Sequence, residues 1–191
     1  MRSWQNLVRW VKRHRGGAAA VLVGLILAGA WLLPMAGRWA KGRWDAGRVA
    51  ALEPQIREHA EATGLDPELV RAVVTAESGG DPDAKSNRGA HGLMQITAIT
   101  EKDVLQRHPS LERGDLFDVD YNLRIGTTYL AYLIKRFDGD RMLALTAYHM
   151  GPTAVRRIQR ENPGITPEEL LAEHAGPQTR AYVRRVLADG G

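Results

Sequence analysis

Glu77 is the residue whose setting in this sequence most clearly suggests chemistry. Val70, Val73, Val74 and Glu77 fall at i, i+3, i+4 and i+7, so on a helix they share one face. A carboxyl group on a valine face is drawn out of water, and desolvation disfavours its ionised form and raises its pKa. A carboxylic acid still protonated near neutral pH is what a poor leaving group such as a sugar oxygen requires. The competing reading is a solvated glutamate at a frayed helix end, and spacing alone leaves both open. Other chemistries find little support. The 191 residues contain no cysteine, which removes disulfides, thiolate metal sites and a catalytic thiol. The six histidines show no His-Glu-x-x-His spacing, so neither a metal nor another cofactor is expected. No glycine-rich phosphate loop follows a strand, which disfavours a nucleotide enzyme.

The elements that must position Glu77 are marked by their ends. Asp66 is expected to cap a helix over 67–78 with Pro67 in its first turn, and Gly79-Gly80 to stop it. The polar stretch 79–92 is long for a connection inside a domain, which suggests a functional loop. Leu123, Thr127, Leu130 and Ile134 recur at helical spacing and place a helix over about 120–137. Further helices are expected at about 44–62, 141–149, 152–160, 167–173 and 178–188, separated by Gly, Pro or Asp. Alternating β-branched runs are nearly absent, so the fold class is all-α or mostly so.

Four short motifs follow in order: Glu77-Ser78, then Gly92-Leu93-Met94-Gln95, then Ala147-Tyr148-His149-Met150-Gly151-Pro152, then Thr179-Arg180-Ala181-Tyr182-Val183. Together with 122–130, they resemble the catalytic domain of the soluble-lytic-transglycosylase type, a goose-lysozyme-like family, over about 65–188. The resemblance implies a lysozyme-like fold acting on peptidoglycan. The family cleaves the MurNAc-β-1,4-GlcNAc bond without water, the muramic acid O6 attacking its own anomeric carbon to leave a 1,6-anhydro end. Carried over by motif, Glu77 is the single general acid/base, in place of the two carboxylates of most glycosidases. Ser86, Met94, Gln95, Tyr148, His149 and Tyr182 are the substrate-binding candidates. Three positions depart from the family pattern. His149 stands where Asn is usual, and an imidazole there could pair with Glu77 when protonated and lower its pKa, which leaves the role of position 149 open. Gln178 stands where some relatives carry Glu. Thr97 stands where goose-type lysozymes commonly have Asp, which tilts the reading from hydrolysis toward transglycosylation. A lysozyme-type hydrolase of the same fold and an inactive glycan-binding scaffold of an envelope machine are the alternatives.

Charge divides the chain unevenly. The formal net charge is +4, yet residues 1–43 hold eight Lys or Arg and no Asp or Glu, which leaves 18 basic and 22 acidic residues, a net of −4, in 44–191. A basic leader on an acidic globule is a poor nucleic-acid binder, and no nucleic-acid partner is expected. Residues 16–37 carry no formal charge and, as a helix, would extend roughly 33 Å, enough to cross a bilayer. Trp10, Trp31, Trp39 and Trp44 lie near the ends of that stretch, where indoles favour the interface. A signal peptide cut near Ala28-Gly29-Ala30 is the alternative. The expected organisation is a basic segment 1–15, a transmembrane helix 16–37, a juxtamembrane connection and first helix 38–64, and the lysozyme-like domain 65–188. A wall substrate puts that domain on the periplasmic or wall side of a single-pass cytoplasmic-membrane protein. The expected partners are peptidoglycan strands and the membrane, with an envelope-spanning or wall-synthesis complex as a further candidate.

Overall fold

The computed structural model describes residues 45–190. The expected span 16–37 and the basic segment 1–15 lie outside them. Among the described residues no helix is long and apolar enough to cross a membrane.

Helix ends follow side-chain chemistry. A helical run over 45–51 gives way at Leu52 to α1, Glu53–Thr63. The single helix expected over 44–62 is therefore interrupted. Pro54 has no amide to donate to the preceding turn, so the chain tightens, with Leu52 N donating to Val49 O at 3.0 Å, and restarts. Gly64, with φ of 69°, closes α1. Asp66 caps α2, Pro67–Glu77, by accepting from Glu68 N at 3.0 Å, as expected. Gly79 and Gly80, with φ of 62° and 75°, end it.

The 79–97 stretch is a hairpin in miniature. β1, Ala90–His91, pairs antiparallel with β2, Ile96–Thr97, in the register Ala90 to Thr97 and His91 to Ile96. The helix α3, Ala98–Arg107, which follows was not expected. Only Glu101 and Val104 of α3 are buried, so it shows no apolar stripe. Thr97 caps it by accepting from Thr100 N.

The long helix α4, Val119–Arg136, is capped by Asp118 and runs through the core with Leu123, Ile125, Leu130 and Leu133 fully buried. It packs against α1, α3 and α5, Arg141–Met150. Gly151 turns the chain into α6, Pro152–Glu161. A capping box at Thr166 starts α7, Pro167–Glu169, which passes into a π-helical turn, Leu170–His174, where a plain helix was expected. The last helix, α8, Pro177–Asp189, lies along α2 and α5. Residues 45–190 belong to one compact unit, and α1 packs on both α2 and α4.

Candidate active site

Glu77 is the last residue of α2, and the valines one and two turns before it are wholly buried. It therefore leaves the core at the point where the helix stops. Ser78 tightens that stop: its hydroxyl donates to Val74 O and accepts from Gly80 N at 3.1 Å. Burial pushes the Glu77 carboxyl up from 4.5 to about 7. The Tyr182 hydroxyl opposes this by a smaller amount. That hydroxyl is buried and forms no hydrogen bond of normal geometry, so it faces Glu77 as a loosely engaged donor.

Glu77 opens into a cleft of about 220 Å³ that is also walled by Ser86, Arg88, Gln95, Thr97, Thr100, Tyr129, Tyr148 and His149. Among the described residues Glu77 is the one acidic side chain lining it. Ser86 holds its own turn by accepting from Ala90 N at 3.0 Å and Arg88 N at 3.3 Å. Both bonds use its oxygen as acceptor, so its hydrogen is left to donate into the cleft. Gln95 sits at φ 49°, which is costly for a residue with a side chain. Its amide repays this locally by donating to Gly92 O at 3.0 Å and Ala84 O at 3.2 Å. Tyr148 donates to Met94 O at 2.8 Å and lies 5.7 Å, ring to ring, from Tyr129. Deep burial drives the hydroxyl pKa of both Tyr148 and Tyr182 well above the usual phenol value, so neither ionises near neutrality.

One expectation needs correction and one open question is answered. Met94 does not line the cleft: its side chain is fully buried against Gly126, where a Cβ would collide with its sulfur, and only its carbonyl serves the site. His149 does line the cleft but does not pair with Glu77. Its Nδ1 lies 3.1 Å from Thr179 Oγ1, and its ring rests 4.8 Å from that of Tyr182. Burial, and secondarily the charge of Arg88, pushes the imidazolium below its ordinary pKa, so His149 is neutral and Glu77 keeps its raised value. Tyr182 is brought to Glu77, though it is not among the residues walling the cleft.

Sequence reasoning missed Arg88, Thr100 and Tyr129 as cleft residues, and it missed the role of Asn122. The buried Asn122 accepts from Met94 N at 2.8 Å and donates to His91 O at 2.9 Å and Leu116 O at 2.7 Å. One amide thus ties the hairpin that carries Gln95 to the central helix. The family profile of the Transglycosylase SLT domain matches residues 54–170.

The chain belongs to the SLT family.

Curated relatives of this SLT domain include the membrane-bound lytic murein transglycosylase F of Desulfosudis oleivorans, 35% identical over 128 residues, covering 63% of this chain and 27% of the relative. Another is the soluble lytic murein transglycosylase of Escherichia coli K12, 35% identical over 121 residues, covering 61% of this chain and 19% of the relative. The crystal structure of the 70 kDa soluble lytic transglycosylase of E. coli superposes with a TM-score of 0.66 at 28% identity, over 72% of this chain and 23% of that one. The SLT domain thus has the mostly helical, lysozyme-like fold expected, and the chain spans about a quarter or less of the length of these relatives.

Proposed function

We propose that this SLT domain is a peptidoglycan lytic transglycosylase. It cleaves the MurNAc-β-1,4-GlcNAc bond and leaves a 1,6-anhydro-MurNAc end, with Glu77 as the single general acid/base. The observation that carries this reading is a carboxyl held near pKa 7 in a cleft that, among the described residues, has no second carboxylate. Half-protonated at neutral pH, Glu77 can give its proton to the glycosidic oxygen as the C1–O bond breaks. The resulting carboxylate then takes the proton of the muramic O6 hydroxyl as O6 bonds to C1. Glu77 ends protonated, and neither water nor a second catalytic group is consumed. A retaining or inverting hydrolase would need a partner carboxylate to act as nucleophile or to activate water. At the position from which one could reach, Thr97 spends its hydroxyl on Thr100.

The other cleft groups fit the same substrate. Ser86 offers a hydroxyl donor, suited to an acetamido carbonyl, and Tyr129 and Tyr148 offer flat apolar faces on which a sugar ring can lie. Tyr148 and Gln95 are committed by hydrogen bonds to the loop that carries them, so they shape the cleft first and contact glycan second. Residues 16–37 anchor the chain in the cytoplasmic membrane and leave this domain on the wall side, where its substrate lies. Mass spectrometry of digested sacculi tests the chemistry. Anhydro ends are expected from the native chain, with none from Glu77→Gln. Hydrated muramic ends would instead make it a hydrolase, and lysis by Glu77→Gln at the native rate would remove Glu77 as the acid.

A further inference from the structure

A strip of cations begins behind the Tyr129 wall of the cleft. Tyr129 lies 6.2 Å, ring to ring, from Tyr132 on the next turn of α4. Arg107 of α3 stands 4.1 Å over the Tyr132 ring, and Arg136 Nη1 donates to the Tyr132 hydroxyl at 2.8 Å. Arg156, from α6, stacks 4.6 Å over Phe137 and donates to the Arg136 carbonyl. Arg160 follows it one turn later on the same face of α6. The strip is felt at the cleft itself: burial pushes the Tyr129 hydroxyl up to about 12, and the charges of Arg107 and Arg136 pull against that rise. Arg107 is neutralised by Asp103, through bonds of 3.1 and 2.9 Å. Lys135, Arg136, Arg156 and Arg160 form no ion pair among the described residues, although 44–191 carries more acid than base. The dipole of α4 favours Lys135 and Arg136 in its last turn, but it brings no counter-charge to Arg156 and Arg160. Lys135, Arg136 and Arg160 are exposed. Arg136 spends one N–H donor inside the fold and Arg156 two, so donors remain on both.

Two oriented guanidiniums with further cations beside them suit phosphate better than carboxylate, since one fork already satisfies one carboxylate and leaves the second unpaired. The sugar rings of the proposed substrate are neutral. Its phosphate lies in one place: a strand still being polymerised carries a diphosphate that joins its muramic end to a membrane lipid. Resting on the peptidoglycan reading, we propose that the strip of Arg136, Arg156 and Arg160 takes this diphosphate, so that the domain selects strands still tethered to their lipid over strands already released. The bond cut remains the glycosidic one, and the diphosphate ester is held without being broken. Strands of this kind are supplied by glycosyl transfer from a lipid-linked sugar donor. That reaction is confined to a membrane surface, and residues 16–37 are proposed to anchor this chain at one.

The test gives the full chain, in bilayers of neutral phosphatidylcholine, two forms of one glycan: strands bearing the lipid diphosphate, and the same strands after mild acid has removed it. The readout is the ratio of kcat/KM on lipid-linked to released strands. In the native chain this ratio is expected to exceed one, to shrink as salt is raised and to fall when inorganic diphosphate is added. Sharing a bilayer raises the native ratio by itself, so the variants decide. Arg136→Ala should lower it roughly fivefold, the upper range for an exposed charge pair, and Arg136→Lys should keep part of the preference. Arg156 also holds the end of α4. Arg160→Glu therefore gives the second reading, because the Arg160 side chain makes no hydrogen bond or ion pair among the described residues. Binding of the lipid-linked strand to Glu77→Gln, with and without Arg136→Ala, reads the same contact without turnover. A ratio unchanged in both Arg136→Ala and Arg160→Glu, or an equal loss on both forms of the glycan, would overturn the diphosphate site while leaving the transglycosylase reading intact. So would a preference that glycan-free vesicles of anionic phospholipid abolish and inorganic diphosphate does not, which would make the strip a face for the bilayer. A native chain inactive on both forms, with no diphosphate-dependent binding, would overturn both.

Discussion

Glu77 sets two properties through one shifted proton. In the unfolded chain its carboxyl titrates near 4.5, and in the fold near 7. Between those values the folded state holds a proton that the unfolded state has lost, so stability falls as pH rises through this window. Below pH 4.5 the group is neutral in both states and costs nothing. Above pH 7 the fold must keep an ionised carboxylate in a poorly hydrated place, a penalty on the order of 2 kcal/mol given that the group opens onto the cleft. Glu77→Gln cannot ionise and escapes the penalty. Its melting temperature should match the native value at pH 4 and exceed it at pH 8, and a pH-independent difference would contradict a desolvated carboxyl. Activity carries the same signature. The proposed reaction needs the protonated acid, so kcat/KM should decline above about pH 7. Tyr182 supplies the opposing influence, since its hydroxyl favours the carboxylate. Tyr182→Phe removes that donor, and the decline should move to higher pH. Because the hydroxyl makes no other hydrogen bond, the variant should lose little stability. A decline that stays in place or moves to lower pH would show that Tyr182 does not act on Glu77.

At the level of elements, the turn that presents Glu77 is held from the side that precedes the family match at 54–170. Arg48, in the helical run 45–51, donates through Nε to Gly79 O at 3.2 Å and pairs with Asp45 at 2.8 Å. Val49, almost wholly buried, lies against Gly80 so closely that a Cβ on that glycine would meet it at 2.9 Å. Loosening this clamp lets water reach the end of α2, where burial maintains the raised pKa of Glu77. Arg48→Ala should therefore cost about 1 kcal/mol of stability and, in addition, shift the decline in kcat/KM to lower pH. A loss of stability with an unchanged pH profile would confine Arg48 to a structural role. None of this contact was legible in the sequence, because it joins residues 31 apart. What was legible is local. Asp66 and the Gly79-Gly80 pair announce both ends of α2, and the valine spacing announces its buried face. α3 escaped notice because one of its two buried side chains is Glu101, satisfied by Arg113 and by Tyr121 at 2.8 Å, so a polar residue stands where periodicity looks for an apolar one. Two-residue strands are too short to alternate visibly. Asn122 and Met94 share this limit: the amide of one and the carbonyl of the other act through backbone contacts that no spacing rule records.

Over the whole chain, charge and substrate bear on the same question of placement. The leader 1–43 carries +8 and the remainder −4, so the basic pI of about 9.6 belongs to the leader. An acidic domain tethered to an anionic bilayer is repelled from the lipid surface at distances within a Debye length, about 8 Å at physiological salt. Under the proposed anchoring, such a domain would be held near the membrane by its chain and kept off it by its charge, which suits work on a polymer lying above the bilayer. Basic residues flank both ends of 16–37, so charge alone orients the span weakly, and the proposed wall substrate decides the side. The chain should accordingly sediment with membranes and resist extraction by high salt, since an apolar span is insensitive to screening. A reporter that works only after export, fused after Gly191, should be active, and one that works only in the cytoplasm should be silent at the same position. Residues 44–191 produced without the leader should remain in the soluble fraction, as expected for a compact unit with excess acidic charge. Salt-extractable full-length chain would point to a peripheral association or a cleaved leader, and a cytoplasmic reporter signal would separate the active site from the only place where its proposed substrate exists.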